Sequence, residues 1–201
     1  YHVRRARRGG WGDAILAICA LHLKSKGSLA RDTVVGTTMS NMGLEVALRE
    51  NGISLIRTDV GDRYVMDAMR RERLNLGGEP SGHIIFLHHT TSGDGTLAAL
   101  RVLSVMCQQG RPLSEVRRVF SPLPQVTRNV AVVDKKPLHA MPKVDAVVRA
   151  AEEALKGRGR LLIRYSGTER IARIMLEGEN PDEIERLASG IADEIRLEIG
   201  S

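Results

Sequence analysis

Aromatic side chains are scarce in this sequence: phenylalanine, tyrosine and tryptophan together make up 3% of 201 residues. A chain so poor in flat rings has few platforms on which single-stranded nucleic acid could stack. Cysteine is nearly missing too. Cys19 and Cys107 both fall in apolar patterns of helical spacing, which points to reduced core residues rather than a disulfide, and so to a cytoplasmic setting. No apolar run approaches the roughly 20 residues of a membrane span. The basic N-terminus lacks the apolar core of a signal peptide, so no membrane partner is expected. Also missing are a Walker-type phosphate loop, a Cys-x-x-Cys pair and a Gly-x-Ser-x-Gly elbow.

Acidic residues are absent from one stretch only. The formal net charge is +6, and Arg4, Arg5, Arg7 and Arg8 supply four of those charges within an acid-free residues 1–10. The remaining 191 residues carry only +2, which is unremarkable. Residues 1–11 therefore read as an anomalous basic segment, disordered or foreign in origin, and no nucleic-acid partner is expected from the rest.

What is present is regular. Helical spacing runs over 13–24, 44–50, 64–73 and 96–109, the last apolar on most sides and hence expected to be buried. Short β-branched or apolar runs at 33–37, 53–56 and 84–87 alternate with these helices. Such alternation predicts an α/β layer with a mostly parallel sheet. Pro122 and Pro124 mark a boundary, giving an α/β domain over 12–121 and a second unit over 125–201. That second unit reads strand 126–133, helix 142–155, strands 160–164 and 171–176, and a last helix opened by Asn180-Pro181-Asp182-Glu183, where Asn180 caps and Glu183 completes a capping box.

Two loops carry the chemistry. Gly77-Gly78-Glu79-Pro80-Ser81-Gly82-His83 puts a carboxylate, a hydroxyl and an imidazole on a glycine-hinged turn. A carboxylate accepts from two hydroxyls, while serine and histidine donate or accept, which suits a polyhydroxylated ligand. Arg164-Tyr165-Ser166-Gly167-Thr168-Glu169 sets a guanidinium beside two hydroxyls and a bare backbone, the donors that a phosphate dianion needs. The competing reading is a surface hairpin with an Arg164–Glu169 salt bridge. Together the loops suggest a sugar phosphate. Asp62 and Arg63, at a helix start, are possible accessory residues; more often such a pair is a cap and a surface charge. His88-His89 invites a metal, but adjacent histidines in a strand face opposite ways and no third ligand is evident, so no metal site is expected.

Four segments resemble those of the bacterial phosphoglucosamine mutases of the α-D-phosphohexomutase superfamily: Met39-Ser40-Asn41-x-Gly43, Val60-Gly61-Asp62-Arg63-Tyr64-Val65, Gly78-Glu79-x-Ser81-Gly82-His83-Ile84-Ile85 and Arg164-x-Ser166-Gly167-Thr168-Glu169. The resemblance runs from about Gly12 to the end of the sequence. It implies a three-layer α/β/α domain, the third of that family's four, preceded by a trailing helix of the second and followed by a small α+β C-terminal domain.

The family interconverts glucosamine 6-phosphate and glucosamine 1-phosphate through a phosphoserine enzyme and a bisphosphate intermediate, for cell-wall precursor synthesis. By the resemblance, Glu79, Ser81 and His83 bind the sugar, and Arg164, Ser166, Gly167 and Thr168 bind the phosphate that is not reacting. The partner implied is a hexosamine phosphate. A phosphomannomutase or phosphoglucomutase, and a non-catalytic sugar-phosphate-binding chain, are the alternatives. The intact family uses Mg2+, but its Asp-Gly-Asp-x-Asp-Arg ligand loop and its catalytic serine do not occur here. A carboxy-terminal fragment that binds without catalysing is the expectation.

The chain departs from the family at several points. Tyr165 and Arg170 stand where prolines are usual, which implies a looser phosphate loop; Pro80 replaces a polar residue, and His88 an acid. Residues 1–11 have no counterpart. If Val3 to Gly10 are encoded by GTC CGA CGA GCG CGG CGA GGT GGT, one choice of GC-rich codons, the same bases read one base later give Ser-Asp-Glu-Arg-Gly-Glu-Val-Val, close to the family's own text. The expectation is therefore an out-of-frame segment.

Overall fold

The structure, a computed structural model, describes residues 11–200. The anomalous N-terminal segment lies outside the described residues, except Trp11, which opens the first helix. Two compact units divide between Pro122 and Leu123.

The first unit runs α1 (Trp11–Ser25), β1 (Thr33–Thr37), α2 (Met42–Glu50), β2 (Ser54–Thr58), α3 (Asp62–Glu72), β3 (Leu76–Gly78), β4 (Ile84–Phe86), α4 (Gly95–Gln109) and α5 (Leu113–Val116). The sheet order is β2-β1-β3-β4, with β1 parallel to both neighbours and β4 antiparallel to β3. Side chains alternate across the strands. Val34, Leu76 and Ile84 therefore join the core under α1, α2 and α4, while Val35 and Ile85 pack on Val65, Ala68 and Met69 of α3. That is the expected three-layer α/β/α arrangement. Strands covered on both faces read as continuous apolar runs, which is why the sequence shows them so clearly. Capping fixes the helix starts: Gly43 N donates to Asn41 Oδ1 (2.8 Å) at α2, and Leu97 N to Asp94 Oδ1 (2.9 Å) at α4.

Some expectations need correction. β3 was not expected as a strand, since Leu76-Gly77-Gly78 has almost no side chain to signal one. Its glycines serve close packing: a Cβ on Gly77 would sit 2.7 Å from Met69 Sδ and 2.9 Å from Val65 Cγ1. α4 is buried on one side only, through Ala98, Val102 and Val105, whereas Leu100 and Leu103 are more than half exposed. Cys107 faces solvent, and only Cys19 is a core thiol, which burial pushes up to a pKa of about 12. His88 and His89 lie in a turn rather than a strand, where His89 contacts Arg101, itself stacked over Phe86.

The second unit runs β5 (Gln125–Ala131), α6 (Pro142–Leu155), β6 (Gly159–Tyr165), β7 (Ile171–Gly178) and α7 (Pro181–Ile199). Its sheet is antiparallel with β7 in the centre, order β5-β7-β6. Ile174 and Leu176 of β7 meet Val144 and Ala151 of α6 and Ile184, Ile191 and Ile195 of α7, so this is the expected α+β unit. The Asn180 side chain accepts from the amides of Asp182 and Glu183, as the sequence foretold. No helix among the described residues is long and apolar enough to cross a membrane.

Candidate functional site

In the first unit, β3 and β4 form a hairpin whose tip is the Glu79–His83 segment. Glu79 N donates to His83 O (3.0 Å), and Gly82 N to Glu79 O (3.0 Å). The second bond defines a β-turn with Pro80 at its second position and Gly82 at its fourth, both favoured there. Pro80 thus stiffens the tip. Gly12, at the start of α1, lies against it, and a Cβ there would fall 2.2 Å from Glu79 O and 2.6 Å from Pro80 O. Only a glycine lets the helix back onto the turn.

The functional groups converge on this tip and on the start of α3. Gly61 N donates to Glu79 Oε1 (2.9 Å), while Glu79 Oε2 lies 3.7 Å from His83 Nδ1. Asp62 Oδ1 is 3.9 Å from the same nitrogen, and Ser81 Oγ is 3.1 Å away, with the donor set by the ring tautomer. Glu79 is the buried member; His83 is largely exposed. Burial raises the Glu79 pKa above its ordinary value, the neighbouring Asp62 adds to this, and the Gly61 amide and His83 partly oppose it. The tip therefore presents one carboxylate held by the N-terminus of α3, a second beside it, a hydroxyl and an imidazole. Glu79, Ser81, His83 and Asp62 come together as a set. Arg63 does not join them: its side chain is 89% exposed and faces Asp67 (3.8 Å).

In the second unit, Arg164 is the next-to-last residue of β6 and the loop closes through Ser166 N donating to Ile171 O (2.9 Å). Glu169 N donates to Ser166 Oγ (3.3 Å), which folds the loop back on itself. Ser166 is buried, whereas Arg164, Gly167 and Thr168 are exposed. The salt bridge considered from sequence does not form. Arg173 Nη2 donates to Glu169 Oε2 (2.9 Å), leaving Arg164 in no ion pair among the described residues.

Two residues of this loop region escaped the sequence reading. Arg173 pairs with Arg164 across β6 and β7, so two guanidinium-bearing positions face each other. Like charges directly opposite each other destabilise a ladder, and the Glu169 carboxylate offsets this at Arg173. The signal was there, since hairpin partners lie equidistant from the loop centre. Lys135 left no such signal. It follows β5 and donates from Nζ to Ser166 O (2.6 Å), while Tyr165 OH donates to Lys136 O (2.6 Å). The looser loop implied by Tyr165 is thus tied down by the tyrosine itself.

The two units are a three-layer α/β/α domain and a small α+β domain, and each presents a polar loop. The chain belongs to the phosphoglucomutase/phosphomannomutase family: residues 11–122 match its alpha/beta/alpha domain III and residues 128–194 its C-terminal domain. It is 51% identical over 189 residues to a phosphoglucosamine mutase of Syntrophotalea carbinolica, covering 94% of this chain and 41% of that protein. To a phosphoglucosamine mutase of Myxococcus xanthus it is 52% identical over 182 residues, covering 90% and 40%. The chain thus spans about two fifths of the length of these relatives. Among solved structures, the fold resembles N-acetylphosphoglucosamine mutase of Aspergillus fumigatus, with a TM-score of 0.74 at 20% identity, covering 92% of this chain and 43% of that one. It also resembles a phosphoglucomutase/phosphomannomutase family protein of Burkholderia thailandensis, with a TM-score of 0.68 at 16% identity, covering 94% and 43%.

One of the fungal structures contains GlcNAc-6P and magnesium. Among the described residues, one group could offer ligands to such an ion: Asp62, Glu79 and His83, whose ligating atoms lie within 4.8 Å of one another. It does not fit magnesium, which demands an octahedron of oxygens. One donor here is an imidazole nitrogen, one oxygen of Glu79 already accepts from Gly61, and burial favours a proton on that carboxyl.

Proposed function

We propose that this chain is the sugar- and phosphate-gripping part of a phosphoglucosamine mutase, an isomerase that moves a phosphoryl group between O6 and O1 of glucosamine phosphate. The observation that carries the reading is the division of labour between the loops. One has acceptors and hydroxyl-matched donors around Glu79, and the other has cations and small donors around Arg164. Glu79 and Ser81 hold ring hydroxyls, and His83 stands beside the sugar or the phosphoryl group in transfer. Arg164, Ser166, Gly167 and Thr168, with Arg173 alongside, hold the phosphate that is not reacting.

A phosphoserine enzyme that turns a bisphosphate over must grip the same ligand in two orientations. A loop that contacts ring hydroxyls and a loop that grips a phosphate each suit such a task, since neither kind of contact depends on which end of the sugar reacts. On this reading the residues here supply binding and orientation, and the metal and the phosphorylated serine come from outside them. The reading places the reaction in the cytoplasm, upstream of cell-wall precursors, in keeping with two free cysteines.

Titration calorimetry of the chain with glucosamine 6-phosphate tests the reading, with glucose 6-phosphate and mannose 6-phosphate as comparisons. Binding that favours the amino sugar and is lost in the Arg164→Ala, Glu79→Ala double variant is the expected result. No heat at millimolar ligand would remove the proposal, and preference for either neutral sugar would move it to the other branch of the family.

A further inference from the structure

Lys135 lies outside both loops in the sequence, yet its ammonium donates to one particular backbone atom, Ser166 O. That carbonyl belongs to the same peptide unit as the Gly167 amide. In a trans peptide the C=O and N–H point in opposite directions, and no peptide among the described residues is cis. A cation fixed on the carbonyl side therefore aims the Gly167 N–H away from itself.

The Gly167 side of that peptide is open. A Cβ at Gly167 would meet nothing within 4 Å, and the residue is exposed, so the protein's own packing does not demand glycine there. Glycine nevertheless leaves the peptide free to flip, since it accepts either sign of φ with little penalty. Ser166 resists through three further bonds: its amide donates to Ile171 O, and its hydroxyl both accepts from Glu169 N and lies 3.4 Å from Glu169 Oε2. None of these fixes its carbonyl. Lys135 does, and the Tyr165 hydroxyl on Lys136 O holds the 135–136 segment in place to do so.

We propose that Lys135 is a positioning residue that locks the Ser166–Gly167 peptide so that the Gly167 N–H is presented to the bound phosphate. The inference deepens the phosphate reading of this loop and rests on it. The charged hydrogen bond acts twice: it sets the direction of the donor, and it polarises the peptide so that the amide on its far side donates more strongly.

The test uses the 201-residue chain labelled with 15N and titrated with inorganic phosphate, followed at the Gly167 amide. Lys135→Met should move or double the Gly167 signal before any phosphate is added, and should weaken phosphate binding roughly tenfold. Lys135→Arg should restore both, while the melting temperatures of the two variants stay close to the parent's. A Gly167 signal unmoved in Lys135→Met overturns the lock, even if binding weakens, because a plain charge effect would then be enough. If the parent chain binds no phosphate at this loop, the phosphate reading falls by itself. The lock then stands or falls on the ligand-free Gly167 signal and its hydrogen exchange.

Discussion

Glu79 is the residue whose environment and role are most tightly bound together. Burial first, and Asp62 second, hold its pKa above the ordinary 4.5, against the pull of the Gly61 amide and His83. The folded chain therefore holds this proton more tightly than the unfolded chain does. Stability from this group grows as pH falls through the folded pKa, is fully present below about the unfolded value, and is lost again as pH rises. Glu79→Gln keeps an oxygen for Gly61 N and removes the charge. It should melt no lower than the parent at neutral pH, with the difference closing as the pH nears 4, and should bind glucosamine 6-phosphate much more weakly; melting curves and calorimetry across pH check both. At Gly12 a methyl would strike backbone oxygens that cannot move cheaply. Gly12→Ala should cost about 1–3 kcal/mol in denaturant unfolding and disturb the Glu79 turn. Gly167→Ala should leave stability within about 0.5 kcal/mol, because the site is open, yet weaken phosphate binding where a ligand would fill that space.

At the scale of elements, β7 shows what tertiary placement adds to a legible strand. Its apolar run announces a buried strand, but the run ends in Glu177, which is fully buried and held by Arg160 Nε at 2.7 Å. Removing Arg160 takes a charged partner away from a carboxylate that has no access to water. Arg160→Ala should therefore destabilise by about 3 kcal/mol in urea titration, far more than loss of an exposed pair such as Arg63–Asp67. Strands and helices with strong side-chain patterns were legible in advance: β1, β4, α6 and α7 fall within a few residues of expectation. β3 was not, since two of its three residues are glycines, and its strand character comes from the neighbours that pair with it. Nor was the exposure of Cys107 and Leu103, because hydropathy along α4 says how apolar the helix is, not how many of its sides are covered.

For the whole molecule, each of the two units has apolar packing of its own and presents a polar loop. It matches about 41% of a mutase's length, so binding and turnover separate as expectations. The chain incubated with glucosamine 6-phosphate should bind it without producing glucosamine 1-phosphate, by phosphorus NMR. Turnover here would show that the sequence contains a nucleophile not identified among its loops.

The sequence by itself determined the two-unit α/β and α+β organisation, the capped helices, and the composition of both loops. All of these depend on local pattern: side-chain periodicity, turn residues and the order of donors and acceptors along a few positions. Tertiary structure alone decided what stands around those loops. Asp62 meets Glu79 because α3 starts where the β3–β4 hairpin ends in space, and Arg173 faces Arg164 through strand register. Lys135 reaches Ser166 across 31 positions of chain. Contacts between residues so far apart are set by packing of whole elements, and no short stretch of sequence encodes them.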